Sequence, residues 1–364
     1  MKNQQHRLAD GELALISHIR QRFTKKTQGL QKDLTKGLPN VLIVGIGDDA
    51  AVFQNNSKDV LVTTDAMIEG VHFDMSFTTP FQVGHKLVTV NVSDIYAMAA
   101  EPAYMLLTIS IPPETTKREV SHNFSHQDFI NGFLDGIDSA LSTYNVALIG
   151  GDITSSRGGI SVSATVIGFA TTHVLRKGAE AGHSIYVTGN LGDSACGLKL
   201  LQRINRPVRI ENGETIDSPL QWQTMKPLLY RHLMPVVTSP VGSIRSVSPS
   251  HQGRGSIFSA MMDISDGLSI DLRRLCAESN VGAVVYEARL PRSVEMIEAA
   301  AFLGFDPTTL ALCGGEDYQI LFTSSEPVSG AWCIGEITNS EFVFIDTDNR
   351  QREMIKCGYE HFKD

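Results

Sequence analysis

Aspartate recurs in this chain where apolar stretches run out. Asp48 and Asp49 stand in GIGDD, Asp65 follows VLVTT, Asp152 follows VALIGG, Asp263 and Asp266 stand in MDISDG, and Asp94 in NVSD lies on a helical pattern. Strand ends and the turns beyond them are where binding residues concentrate. Taken singly, each acid has a structural reading, because Asp and Gly make turns and Ser265 or Asp266 can cap a helix. Taken together, they raise a sharper question of charge. Two carboxylates ~5 Å apart at an effective dielectric near 20 repel by roughly 3 kcal/mol, a cost that a hard divalent cation reverses. The hydroxyls of Thr63, Thr64 and Ser265 extend an all-oxygen donor set without His or Cys, which favours magnesium over zinc. Magnesium held by one or two carboxylates completes its octahedron with water and substrate phosphates, so nucleotide chemistry is expected.

Several other chemistries are disfavoured. A net charge of -9 lacks the basic footprint of a nucleic-acid binder. There is no G-x-x-x-x-G-K-[ST] loop and no HRD or DFG set. GIGDDA fits a dinucleotide fingerprint only superficially, since two aspartates would face the pyrophosphate. GNLGDSACG at 189–197 follows a strand and opens a helix; its amides could receive an anion, though a plain strand-to-helix turn is the simpler reading.

The elements that must position these acids alternate along the chain. Val60–Thr64, Leu106–Ile111, Val146–Ile149, Ile160–Phe169 and Ile185–Thr188 read as strands by their Val, Ile and Thr content. Phe129, Ile130, Phe133, Leu134, Ile137 and Leu141 follow a helical period, as do Leu87, Val90, Ile95 and Met98 less cleanly. This predicts an α/β fold (α+β, with mixed sheets), and 364 residues predict two domains. The boundary is placed in the polar stretch Thr171–His183, giving domains 1–170 and 171–364. Asn205–Pro219 and Ser243–Gly255 read as mobile surface loops. GIGDDAAVF and GGEDYQILF echo one another, as related halves or as two similar turns. Five cysteines without a CxxC pair predict reduced thiols. No apolar run suffices for a membrane span and no secretory leader is evident, so a cytoplasmic setting is expected.

Taken in order, GIGDDAAVF, TTDAMIEGVHF, NVSDIYAMAAEP, GGDI, LRKGA, YVTGNLGDSACGL, MDISDGLSIDL and GGEDYQILFT resemble the motif series of the thiamine-monophosphate kinase family. GELALI near the start and KCGYEHF near the end extend the likeness over most of the chain. The resemblance implies an aminoimidazole-ribonucleotide-synthetase-like, two-domain architecture and a homodimer, with the first domain serving metal binding, ATP binding and dimerisation. It implies ATP in a cleft completed by the second domain, and phosphorylation of thiamine monophosphate to the diphosphate. Carried over motif by motif, Asp48, Asp49, Thr63, Thr64, Asp65, Asp94, Asp152, Asp263 and Asp266 would hold several magnesium ions. Gly151, Asp152, Arg176 and Ser265 would meet ATP, and His72, Glu316 and Tyr359 the thiamine phosphate. Asp65, Asp152 and Arg176 would form the catalytic set, in a direct transfer without a phosphoenzyme. The chain departs from the family where Ile153 replaces the usual Thr after GGD, where Tyr96 and Glu101 replace a small residue and Asp, and in added length at Lys25–Asn40. Other readings stay open: another ATP-using member of the superfamily, or a protein that binds nucleotide without turnover. The first weakens because the first cysteine is Cys196 and Cys357 is not at the extreme end.

Overall fold

The computed structural model describes residues 40–44, 48–55, 58–113, 124–246 and 257–361. GELALI, all of Lys25–Asn40 but its last residue, Gly45 and Gly47 of the first motif, and residues 247–255 of the second expected loop lie outside the described residues.

In chain order the first elements are β1 (Asn40–Val44), β2 (Ala51–Asn55), β3 (Lys58–Ile68), α1 (Pro80–Ala97), β4 (Glu101–Ile111), α2 (His126–Tyr144), β5 (Ala147–Ser155) and β6 (Ser161–Ala170). The strands form one sheet in the order β1-β2-β3-β6-β4-β5, antiparallel except between β4 and β5. Strand alternation is clean in β6, where Val162, Ala164 and Val166 point into the core. α1 begins at a capping box, with Thr79 and Gln82 satisfying each other's backbone amides, and with Pro80 in its first turn. α1 and α2 cross without room for side chains: a Cβ on Gly84 would meet the Phe133 carbonyl at 2.1 Å, and one on Gly136 the Phe81 carbonyl at 1.9 Å.

After the polar stretch 171–183 come β7 (Ser184–Val187), α3 (Asp193–Ile204), α4 (Trp222–Leu233), β8 (Ala260–Asp263), α5 (Leu268–Ser279), β9 (Gly282–Tyr286), α6 (Val294–Leu303), α7 (Pro307–Cys313), β10 (Ile320–Ser324), β11 (Trp332–Thr338), β12 (Phe342–Ile345) and β13 (Gln351–Glu353). Their seven strands order as β13-β12-β9-β11-β7-β10-β8, with only β9 and β12 parallel. The mixed α/β class read from the sequence is the one observed.

The two sheets share a core. Leu61, Leu87, Phe133 and Val166 pack in one cluster with Tyr186, Met261 and Phe322 from the second sheet. Ile185, Met262, Leu272 and Phe344 fill the opposite face of that sheet, and Leu200, Leu228, Met296 and Ala299 join α3, α4 and α6. α1 is buried on nearly every side, which explains its weak periodicity: a helix enclosed all round carries no polar face.

Two expectations are corrected. Asn205–Pro219 is anchored rather than loose, with Val208 and Ile210 buried and Glu211 accepting hydrogen bonds from Thr79 Oγ1 at 2.9 Å and Gln82 Nε2 at 2.8 Å. Nor are all five thiols reduced, because Cys313 and Cys357 form a disulfide across 44 residues while Cys196, Cys276 and Cys333 are free. Among the described residues no single helix is long and apolar enough to cross a membrane; α6 and α7 pass that test only as a pair bent by 112°.

Candidate active site

Three of the aspartates converge. Asp49 comes from the turn before β2, Asp94 from α1 and Asp263 from the end of β8, and their carboxylate oxygens lie within 4.8 Å of one another. The supports are local and specific. Thr63 Oγ1 donates to Asp94 Oδ2, and Ser93 Oγ donates to Asp263 Oδ2 at 2.6 Å. Arg176 forks onto Asp49, with Nε to Oδ2 at 3.0 Å and Nη2 to Oδ1, while its backbone amide donates to Asp48 Oδ2 at 3.2 Å.

The electrostatics are those of an under-neutralised cluster. Burial, then the neighbouring acids, pushes the Asp94 and Asp263 carboxyls well above the usual range. Burial and Asp49 carry Asp48 up to about 6 against the pull of Arg176. Burial disfavours the Arg176 guanidinium, yet Asp49, Asp48 and Asp263 outweigh it and hold the charge more tightly.

The remaining expected metal residues sit at graded removes. On β3, side chains alternate, so Thr63 and Asp65 share a face, whereas Thr64 donates to the Ala164 carbonyl at 2.9 Å. The Asp65 amide donates to Asn91 Oδ1 at 2.9 Å, tying β3 to α1. Burial, then Asp49 and Asp266, raises the Asp65 carboxyl to about 6, although the residue still meets solvent. Asp266 is paired with Arg274, and its amide and that of Gly267 donate to Asp271 at 3.0 Å each. Gly151 and Asp152 are exposed on β5, and Asp152 lies opposite Thr108 of β4. With β6 and β4 between β3 and β5, the path along the sheet from Asp65 is about 14 Å. Asp152 is accordingly not among the three carboxylates that converge.

The expected acceptor residues gather in a second group. The 314–316 turn folds against the aspartate-rich turn, the Glu316 amide donating to the Ser265 carbonyl at 2.7 Å, and Glu316 takes a left-handed conformation with φ 65. Its carboxylate is gripped from both sides: Lys86 Nζ of α1 lies 2.6 Å from Oε1, and His232 Nδ1 of α4 lies 3.2 Å from Oε2. Ser194 Oγ stands 3.1 Å from the same imidazole nitrogen. Burial raises the Glu316 carboxyl, but Lys86 and His232 more than compensate and hold it below the ordinary range. Burial, then Lys86, drives His232 down to about 3, leaving a neutral ring beside the carboxylate. His72, in the turn after β3, accepts from the Ile68 amide at 3.1 Å and faces His361 at 5.4 Å between ring centroids. Tyr359 meets His361 edge-on at 4.8 Å.

Lys86, His232, Ser194 and His361 were not singled out by sequence reasoning. Lys86 is buried in an apolar helix, an unusual place for a lysine, and that was the available signal. The 189–197 turn resolves to its plainer reading. Its Gly192 and Ser194 amides are taken by Asp317 of the chain itself, at 2.6 and 3.0 Å. The motif echo divides in the same way, because Asp49 joins the trio while Asp317 caps α3.

Residues 47–170 match the family model for the AIR synthase related protein, N-terminal domain. Thiamine-monophosphate kinase of Aquifex aeolicus is 33% identical over 321 residues, covering 87% of this chain and 92% of the relative. The chain belongs to the thiamine-monophosphate kinase family. The Salmonella typhimurium member is 32% identical over 98% of this chain and 99% of its own. A solved structure of AaThiL complexed with AMPPCP and TMP superposes with a TM-score of 0.74 at 29% identity, covering 99% of this chain and 100% of that one. Hydrogenase maturation protein HypE in complex with ATP, at 15% identity and TM-score 0.55 over 82% of this chain and 84% of its own, shares the fold. Membership of the thiamine-monophosphate kinase family thus agrees with the motif series and with the cysteine positions that weakened the other superfamily readings.

Proposed function

We propose that this protein transfers the γ-phosphoryl group of ATP in line to thiamine monophosphate, giving ADP and thiamine diphosphate. The observation that carries the reading is the convergence of Asp49, Asp94 and Asp263, three carboxylates from separate elements with their oxygens within 4.8 Å. Buried like charges at that spacing fit a hard divalent cation, and Asp49, Asp94 and Asp263, with Asp48 and Asp65 beside them, would hold magnesium. Magnesium bound there would neutralise phosphate oxygens and polarise the transferred group.

The chain's own side chains supply the rest. Arg176, already oriented by Asp49, offers a guanidinium to phosphate oxygens at the rim of the trio. The acceptor phosphate has a second pKa of ~6 and is anionic at neutral pH, so no general base is required. The Glu316 group, fixed by Lys86 and His232, shapes the acceptor end, and the exposed face of Tyr359 suits stacking on the cationic thiazolium. His72 lies between the Glu316 group and the tail.

The same reading proposes a boundary near residue 171, a homodimer and a cytoplasmic setting where ATP is abundant. The homodimer is supported by β5, an edge strand exposed along its length that presents Leu148, Ile149 and Ile153. The test is product analysis with Mg-ATP and thiamine monophosphate, alongside Asp263→Asn and a control with unphosphorylated thiamine. One diphosphate per ADP, lost in Asp263→Asn and absent with thiamine, is expected. ATP bound without product would leave a nucleotide-binding protein of this family.

A further inference from the structure

The Cys313–Cys357 disulfide fastens two segments that the proposed function assigns to the acceptor. Cys313 ends α7 and runs directly into Gly314, Gly315 and Glu316, while Cys357 runs directly into Gly358 and Tyr359. They are 44 positions apart in sequence, and the fold brings their Cα atoms to 5.1 Å. Both cysteines are half-buried at the edge of the second-sheet core.

Residues 354–361 form a strap across the site. Arg273 Nη2 donates to the Met354 carbonyl and Ser269 Oγ to that of Ile355. The Cys357 amide donates to Ser269 Oγ at 3.4 Å and the Tyr359 amide to the Asp266 carbonyl at 2.9 Å. The strap lies flush against α5, since a Cβ on Gly358, whose φ is +147, would come within 2.6 Å of Ile270 Cγ2 and 2.8 Å of the Asp266 oxygen. Its far end sets His361 against His72, so the strap spans from the second sheet to the first.

We propose that Cys313 and Cys357 are redox-sensitive positioning residues for the acceptor site. Closed, the disulfide holds Tyr359 and His361 over His72 and braces the left-handed Glu316 turn. Open, it frees the strap and weakens thiamine phosphate binding while leaving the ATP end unchanged. This inference rests on the acceptor reading given above. Closing forms one S–S bond as two thiols give up two protons and two electrons; a small-molecule disulfide such as oxidised glutathione accepts them and is cleaved to two thiols. Opening reverses the exchange through a mixed disulfide.

The test equilibrates the full chain in glutathione buffers of graded potential. The Cys313–Cys357 state is read by mass spectrometry of alkylated peptides, and KM is measured for both substrates. Reduction is expected to raise KM for thiamine monophosphate roughly three- to tenfold, the size of one aromatic contact, with kcat and KM for ATP little changed. Cys357→Ser should sit at the reduced value and ignore the buffer, while Cys333→Ser should respond as wild type does. Hydrogen exchange over 354–361 should quicken on reduction. Equal KM values and equal exchange in two verified states, or no disulfide in the most oxidising buffer, would overturn the latch. Absence of thiamine diphosphate in both states would instead retire the acceptor reading, and the exchange comparison would still decide whether the disulfide holds the strap.

Discussion

Two charged groups share one helix and are built on opposite plans. Around Asp49, Asp94 and Asp263, negative charge accumulates and Arg176 offsets only part of it. Around Glu316, Lys86 and His232 satisfy both carboxylate oxygens, and the group closes on itself. Charge left in excess prepares a place for something to bind, whereas charge balanced by the chain's own residues prepares a geometry. In both groups α1 supplies a member, Asp94 in one and Lys86 in the other, eight positions apart on a single helix.

The comparison breaks most visibly under Asp263→Asn. Phosphoryl transfer should fall by on the order of 10²–10³-fold, while the cation-free protein should melt at a higher temperature because one repelling charge is gone. Lower melting would mean that the trio is balanced after all. Lys86→Met should act with the opposite sign, destabilising by ~2–3 kcal/mol, a figure kept below that of a fully enclosed pair because Glu316 remains 27% exposed. Urea midpoints for the two variants, set side by side, test whether the two plans differ in sign.

Protonation gives a finer distinction. His232 is held neutral down to about 3, so the folded state binds fewer protons than the unfolded one as pH drops below ~6.5. Stability contributed by the neutral ring is therefore present above that value and lost progressively between it and about 3. Replacing His232 by Asn should flatten the fall in urea midpoint between pH 7.5 and 5, and an unchanged slope would remove the ring from the balanced group. The smallest effect is expected from Ser194→Ala, which removes the hydroxyl beside His232 and should cost about 0.5–1.5 kcal/mol. A rise in KM for thiamine monophosphate without a change in kcat would place that hydroxyl in the positioning chain.

The acids of the trio were legible because each follows a recognisable apolar run or sits in a helical pattern, and mutual repulsion makes their convergence chemically costly unless it serves a purpose. Asp152 carries the same local signature, yet its distance from the others depends on β6 and β4 lying between β3 and β5, an order no local pattern encodes. Lys86 and His232 were hidden for a different reason: each stands inside a helix, and its partner comes from a remote turn. Polar composition likewise masked the anchoring of 205–219, since two aliphatic side chains, Val208 and Ile210, are enough to pin it. The pairing of Cys313 with Cys357 is a tertiary fact with no spacing rule to announce it.

Because α1 is enclosed by both sheets, neither half of the chain owns its core. Severing the polypeptide within 171–183 would leave one fragment with a helix face stripped of its cover and the other with Tyr186, Met261 and Phe322 laid open to water. Each fragment alone would be a poor candidate for soluble expression. The two produced together would be expected to reassemble, and the intact chain to melt in one cooperative step rather than two.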